Sequence, residues 1–385
     1  MTIRGKDAWG PVLMMGLLQS ALIACLPWLI ERTGLSAGIW SLVLSAGMVP
    51  VLIGAPLWGR VADRRGARPV IGLASALVLA GFGLVLLVLG LNVQGAWAAV
   101  FLVLARLAHG AGAGGIFPAA QRLAIAGIGP KDWSYRLSRL QIAVHAGRLA
   151  GPALIALATW LGMMTGLFMA GVLAVLLVRG SRSAPVEHEP ENGFLHGQPR
   201  SRLPWGPGRP FYLMALLLTA WVGSLQFVLG PVLTRIAEVS AEAGSSLTAA
   251  ALMLTSVVGL VLGPLVHARI RGTVALTMVW GAALLIAGVV LGVATTVFEI
   301  YVGVAFLAFG AAVLTPWYGS QVRQCQPDAH GEVGGRLTST HTLGYIAGTL
   351  AGGWLLEVHP DRAMAAFVLP APVLVLLAIK ARTLE

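Results

Sequence analysis

Twelve runs of about 20 predominantly apolar residues, each long enough to cross a hydrocarbon core as a helix, constrain this chain more than any other feature. They fall at residues 9–30, 36–57, 69–91, 97–120, 134–158 and 160–178, and again at 211–233, 247–267, 273–294, 298–320, 337–356 and 363–379. In lipid, backbone polar groups must be satisfied within the segment, so spans of this kind fold as α-helices. The expected class is an all-α membrane protein with twelve transmembrane helices. Composition agrees: 57% of residues are hydrophobic and 11% charged, against about 25% charged in soluble domains.

Between the sixth and seventh runs lies residues 180–210, rich in Pro, Gly, Arg and Glu, which reads as a polar linker. The expected organisation is an N-terminal six-helix bundle over 1–179, a cytoplasmic linker over 180–210 and a C-terminal six-helix bundle over 211–385. His188 and His196, set among Glu187, Glu189 and Glu191, read as a solvated linker face rather than a metal site. Cys25 and Cys325 supply neither a disulfide framework nor a metal cluster. The net charge of +11 does not indicate nucleic-acid binding, because the charges sit in short segments between apolar runs. Leu22-Ile23-Ala24-Cys25 resembles a lipoprotein cleavage box, but the apolar run continues past it and reads as an uncleaved first span.

Lys and Arg are distributed unevenly between the two sides: 21 fall on the side of the termini, against Arg32, Arg235 and Arg362 on the other. By the positive-inside rule both termini are expected in the cytoplasm, as in a multi-pass protein of the bacterial inner membrane. The halves also repeat in parallel. Gly147-x-x-x-Gly151 recurs as Gly344-x-x-x-Gly348, Pro118 as Pro316, and Arg65-Gly66 as Arg271-Gly272. Parallel repeats imply two six-helix bundles about an axis along the membrane normal, with a binding cavity between them near the midplane.

Between the second and third spans the chain reads Gly59-Arg60-Val61-Ala62-Asp63-Arg64-Arg65-Gly66-Ala67-Arg68. This resembles the signature loop of the major facilitator superfamily, with Gly59, Ala62, Asp63, Arg64, Gly66 and Arg68 in place and Ala67 where Arg is common. The resemblance extends over essentially the whole chain and implies the major facilitator fold, with Gly59, Asp63, Arg64, Gly66 and Arg68 forming a conformational latch. The fourth span resembles the superfamily's R-x-x-Q-G-x-G-A motif of proton-coupled antiporters through Arg106, Gly110, Gly112 and Ala113, with His109 where Gln is usual. The fifth resembles the exporters' G-x-x-x-G-P-x-x-G-G motif through Gly147, Gly151 and Pro152, with Ile155 and Ala156 in place of the last glycine pair. Taken together, these motifs are similar to those of drug/proton antiporter-like exporters. Physically, Gly110, Gly147, Gly151, Gly344 and Gly348 suit close helix packing.

The candidate cavity follows from helical spacing. Ser138, Gln141, His145, Arg148 and Pro152 recur at steps of 3 and 4, on one face of the fifth span, and Arg106 and His109 lie a turn apart on the fourth. An Arg at the bilayer centre costs roughly 2.5–3.5 kcal/mol on insertion scales, so two of them mark a substrate or ion pathway. The second half does not repeat the charges: Val304 and Leu307 stand opposite Arg106 and His109, and Tyr345 opposite Arg148. Its candidates are Gln226, Trp317, His341 and Tyr345, with Trp221 and Tyr318 nearby in the sequence pattern. Asp and Glu are absent from the span centres, so His109 and His145, which can titrate near neutral pH, are the candidate proton carriers.

The expected function is secondary active transport by alternating access: proton-coupled export of a small anionic or amphipathic molecule, such as a carboxylate-type metal chelator (siderophore), an organic acid or a drug. Uptake of an organic anion by the same fold is the alternative. An enzyme is disfavoured because no loop gathers a nucleophile with a base or a metal-ligand set. A channel is disfavoured because no ring of like charges repeats between halves. The expected partners are substrate, protons and membrane lipid around a monomer, with no cofactor, metal or nucleic acid.

Overall fold

The structure is a computed structural model that describes residues 9–125, 133–181, 208–270, 273–325 and 330–382. Fourteen α-helices and two short 3₁₀ turns make up the described secondary structure, with no strand among the described residues. In the N-terminal half these are α1 (Trp9–Ala24), α2 (Leu26–Thr33), α3 (Ala37–Ala46), α4 (Met48–Arg65), α5 (Ala67–Gly90), α6 (Gly95–Ile125), α7 (Trp133–Ala158) and α8 (Met163–Ser181). The C-terminal half holds α9 (Arg209–Ile236), α10 (Ala241–Arg269), α11 (Thr273–Val293), α12 (Val297–Cys325), α13 (His330–Val358) and α14 (Pro370–Arg382). Most of the linker, 182–207, lies outside the described residues, as do Arg4 and Lys6.

Helices α1 and α2 form one pass bent by 63°. The bend falls at Cys25, where Pro27 opens α2 and cannot donate back to the preceding turn. Helices α3 and α4 form the second pass, interrupted at Gly47, and the 3₁₀ turns lead into α14 as the last. The result is twelve passes in two parallel six-helix bundles, the fold class expected from the sequence. Among the described residues, nine helical segments are apolar and long enough to cross a membrane, or ten with the bent first pass. The two helices that fall outside this set are α7, with Gln141, His145 and Arg148, and α13, with His341 and Tyr345, which occupy equivalent places in the repeat.

Lipid tails are as apolar as a leucine side chain, so helices in a membrane associate through close packing rather than exclusion from water. The glycines supply that closeness. A Cβ on Gly147 would meet the Leu13 carbonyl, and one on Gly151 would meet Ser20 and the Leu17 carbonyl, so α7 lies directly on α1. The second half repeats the device: a Cβ on Gly344 would meet Thr219, and one on Gly348 the Ala220 carbonyl, which seats α13 on α9. Gly110 abuts the Gly47 carbonyl in the same way and brings α6 against the break in the second pass.

The start of α1 and the end of α14 share one face of the molecule, the terminal face, and the far face lies opposite. Hydrogen bonds cross between the bundles at the far face. The Trp28 N–H donates to Ser245 Oγ at 3.3 Å, the hydroxyls of Thr159 and Ser246 are paired, and the Gly38 N–H donates to Glu357 Oε1 at 2.7 Å. Gly230 packs on Pro27 and Gly353 on Ser41 at the same end. The far face is thus sealed in this conformation.

Candidate functional site

Arg106 is buried inside the N-terminal bundle, where its Nη2 donates to Gln19 Oε1 of α1 at 2.8 Å. Its Nε is buried without a hydrogen-bond partner. Gly47 makes room for it, since a Cβ there would stand 2.9 Å from that Nε. His109, one turn along α6, is also buried; Gly81 of α5 approaches so closely that a Cβ on it would lie 2.8 Å from the His109 backbone nitrogen. Both residues are therefore enclosed by their own bundle.

The α7 residues lie differently. Arg148 is exposed and His145 half-buried, although both sit well inside the helix and one turn apart. The Ser20 hydroxyl, next to Gln19, donates to the Gly16 carbonyl of its own helix at 2.8 Å and lies 3.4 Å from the Gly147 carbonyl of α7. Adjacent residues of α1 thus reach α6 and α7, tying Arg106 and the Gly147–Arg148 step to one stretch of α1. Among the described residues neither arginine has a carboxylate partner. Arg106 meets a neutral amide, which satisfies one donor but leaves the charge uncompensated.

In the C-terminal half the candidates separate. Tyr318, fully buried on α12, pairs through its hydroxyl with His341 Nε2 of α13 at 2.7 Å. Tyr345 is half-buried, and Gly223 of α9 lies so near that a Cβ on it would stand 3.1 Å from both the ring and the carbonyl of Tyr345. Gln226 is half-buried on α9, one turn from Gly223. Trp317 is buried in an aromatic cluster, edge-on to Phe211 at 5.7 Å and tilted against Trp280 at 5.8 Å. Its indole N–H has no partner, nor has that of buried Trp221. Among the described residues, no hydrogen bond joins this set to the arginines and histidines of α6 and α7. The side chain of Gln141 lies outside those described.

At the terminal face, Gly66 joins α4 to α5 with φ 84° and ψ 156°, a conformation open in practice to glycine alone. That requirement explains its place in the signature loop. Arg64 is exposed and, with Leu57, Arg60 and Val61, lines a recess of about 220 Å³. Arg68 is half-buried, Gly59 faces open space, and the side chain of Asp63 lies outside those described. Arg122 Nη1 donates to the Ala62 carbonyl, and the Trp58 indole N–H donates to the Ala111 carbonyl at 2.7 Å, so the end of α4 is anchored to α6 at two points. Sequence reasoning missed Gln19 and the pairing of Tyr318 with His341. A polar Gln inside the apolar first span was the available signal for the former.

The family model of the Major Facilitator Superfamily matches residues 11–296, about three quarters of the chain. The chain belongs to the Major Facilitator Superfamily. It is therefore a multi-pass membrane protein of a transporter family, with a small molecule as its substrate. No curated protein sequence matches it. Solved structures share its fold at low identity. The nucleoside transporter NupG superposes with a TM-score of 0.70 at 13% identity, over 100% of this chain and 99% of its own. The human organic anion transporter MFSD10 (TETRAN) gives 0.68 at 18%, covering 98% of this chain and 99% of its own. A bacterial homologue of the iron transporter ferroportin, in an inward-facing state, gives 0.68 at 16%, with 98% of each chain covered.

Proposed function

We propose that this protein exports a small anionic or amphipathic molecule across the bacterial inner membrane in exchange for protons. In this reading the terminal face is cytoplasmic, residues 1–179 and 211–385 act as the two rocking bundles, and 180–210 links them. The observation that carries it is the pair of mid-membrane guanidiniums: Arg106 bonded only to neutral Gln19, and Arg148 exposed with no carboxylate partner among the described residues. A guanidinium stays protonated at any relevant pH, so such a site repels cations and favours carboxylates that accept paired hydrogen bonds. Arg148 is the contact group, and Arg106 supplies a fixed field from behind α1.

His145, half-buried a turn from Arg148, is the better placed proton carrier, because enclosed His109 is cut off from a substrate path by α5. A bound anion offsets the charge of Arg148, which otherwise opposes a proton on His145, so the occupancies of the two are linked electrostatically. Carboxylate-type metal chelators, organic acids and anionic drugs share the needed chemistry. The test is transport in proteoliposomes under an imposed pH gradient, comparing carboxylates with cationic dyes in both orientations. Carboxylates should be driven against the proton flow, with the response lost in Arg148→Ala. Preference for cationic dyes, unchanged by that substitution, would overturn the reading, and co-movement of anion and proton would make it an uptake system.

A further inference from the structure

The far-face seal has two arms related by the internal repeat, and their chemistry differs. Thr159, just past the end of α7, and Glu357, in the last turn of α13, lie within one residue of equivalent positions, 198 apart where the paired glycines of these two helices are 197 apart. Each reaches the first turns of a helix in the opposite bundle. Thr159 meets Ser246 of α10 hydroxyl to hydroxyl. Glu357 instead sets its Oε1 2.7 Å from the Gly38 N–H at the start of α3.

The first N–H groups of a helix have no partner within it, and the helix dipole makes that end partly positive. Ser36 serves one of them in the ordinary way, its Oγ accepting from the Ile39 N–H at 3.3 Å. The next is served by a carboxylate from the other bundle. Gly38 permits the approach, since a Cβ there would stand 2.9 Å from Glu357 Oε1 and 3.1 Å from its Cγ. One turn deeper, Gly353 packs on Ser41 and the Ala37 carbonyl, so positions 353 and 357 of α13 face positions 41 and 38 of α3 as one matched surface.

We propose that Glu357 is a gating residue: its carboxylate caps α3 across the bundle interface and makes the α3–α13 arm the stronger, charge-dependent half of an otherwise neutral far-face seal. Transport requires this contact to break once in each cycle. Its strength therefore sets how much of the population stands open at the far face. The inference rests on the fold and the family, and holds for export or uptake and for any substrate.

The test uses the full chain in lipid nanodiscs, with Cys325→Ser to remove the half-exposed thiol and spin labels at Trp97→Cys and Phe298→Cys. These are exposed far-face positions in opposite bundles. Glu357→Ala should raise the ratio of far-separated to close label pairs about two- to fivefold, the range expected for losing a charge at a helix end. Thr159→Val should move it less. Should Glu357→Ala fail to fold, Gly38→Ala carries the same test, because its added Cβ displaces the carboxylate while leaving the charge in place. A ratio unchanged from wild type, or moved no further than in Thr159→Val, would overturn the proposal.

Discussion

Helices α7 and α13 hold equivalent places in the two halves, and each lies against the first helix of its own half through glycines four residues apart. Beyond that shared backbone device they diverge. Helix α7 presents half-buried His145 and exposed Arg148, whereas α13 presents His341, already bonded to Tyr318, and Tyr345, packed against α9. The difference teaches how a duplicated scaffold acquires a polar axis: packing positions are bound by close contact and repeat, while side chains outside those contacts are free to differ.

The largest expected effect breaks what the two helices share. Gly147→Val and Gly348→Val each force a branched side chain against a backbone carbonyl, of Leu13 and Ala220 respectively. Each should destabilise its bundle by about 3 kcal/mol, read as a lower midpoint in thermal unfolding in detergent. The two losses should be similar. A stable Gly348→Val protein beside an unstable Gly147→Val one would show that the repeat is only approximate at this level.

What the halves do not share should show in transport. Arg148→Ala should lower anion affinity roughly 10- to 100-fold, the span for losing charge-assisted hydrogen bonds, and Arg148→Lys should restore only part, because an ammonium lacks the planar fork. Tyr345→Phe should change it far less. Equal losses from the two would mean that substrate is held symmetrically, against the charge asymmetry of α7 and α13.

The passes were legible in the sequence because each depends on its own run of apolar residues, whatever its neighbours. Gly66 was marked in the sequence only by its place in the signature loop, and the structure supplies the reason, a positive φ that only glycine adopts without strain. The periodicity of α6 and α7 gave the face on which Arg106, His109, His145 and Arg148 lie, but a period cannot say what covers a face. Enclosure of Arg106 depends on Gln19, 87 residues away, and on the break at Gly47 that lets α6 approach. Trp317 was read as a cavity group from its residue type, yet Phe211 and Trp280, remote in sequence, draw it into the bundle. The 63° bend at Cys25 carried a local signal in Pro27, but the contacts the bent segment makes with α10 and α9 are remote in sequence and could not be read from it.

A smaller effect is expected at the Tyr318–His341 bond, which has no counterpart on α7 among the described residues. Tyr318→Phe keeps the ring and removes the hydroxyl, so the cost is about 1 kcal/mol of stability from one half-buried nitrogen that loses its partner. Tyr318→Phe with His341→Leu should recover most of it, because both polar partners are then gone. A double variant less stable than either single one would mean that His341 is held by something other than this bond.

The smallest effect, and the one that separates the tips of the two helices, is the response of the far face to acid. Hydrogen bonds from the Ser36 hydroxyl and the Gly38 N–H hold the Glu357 carboxyl below its usual range. A group whose value is depressed in the clasped state contributes fully above its ordinary value of about 4.3 and is lost as pH falls through the depressed one. The start of α3, Ser36-Ala37-Gly38, brings no charged side chain to this contact. Nearby, Arg32 of α2 donates to the Leu89 carbonyl, Arg235 of α9 is paired with Asp361 at 2.6 Å, and His359 is exposed. The label-pair ratio should therefore be flat from about pH 8 to about pH 6 and rise only in acid below the usual carboxylate range. Glu357→Gln should abolish that acid step, while Thr159→Val, on the neutral arm, should leave it in place. A transition centred between about pH 6 and 7 that survives in Glu357→Gln would assign the response to a histidine, His359 being the nearest, and remove the carboxylate from the seal.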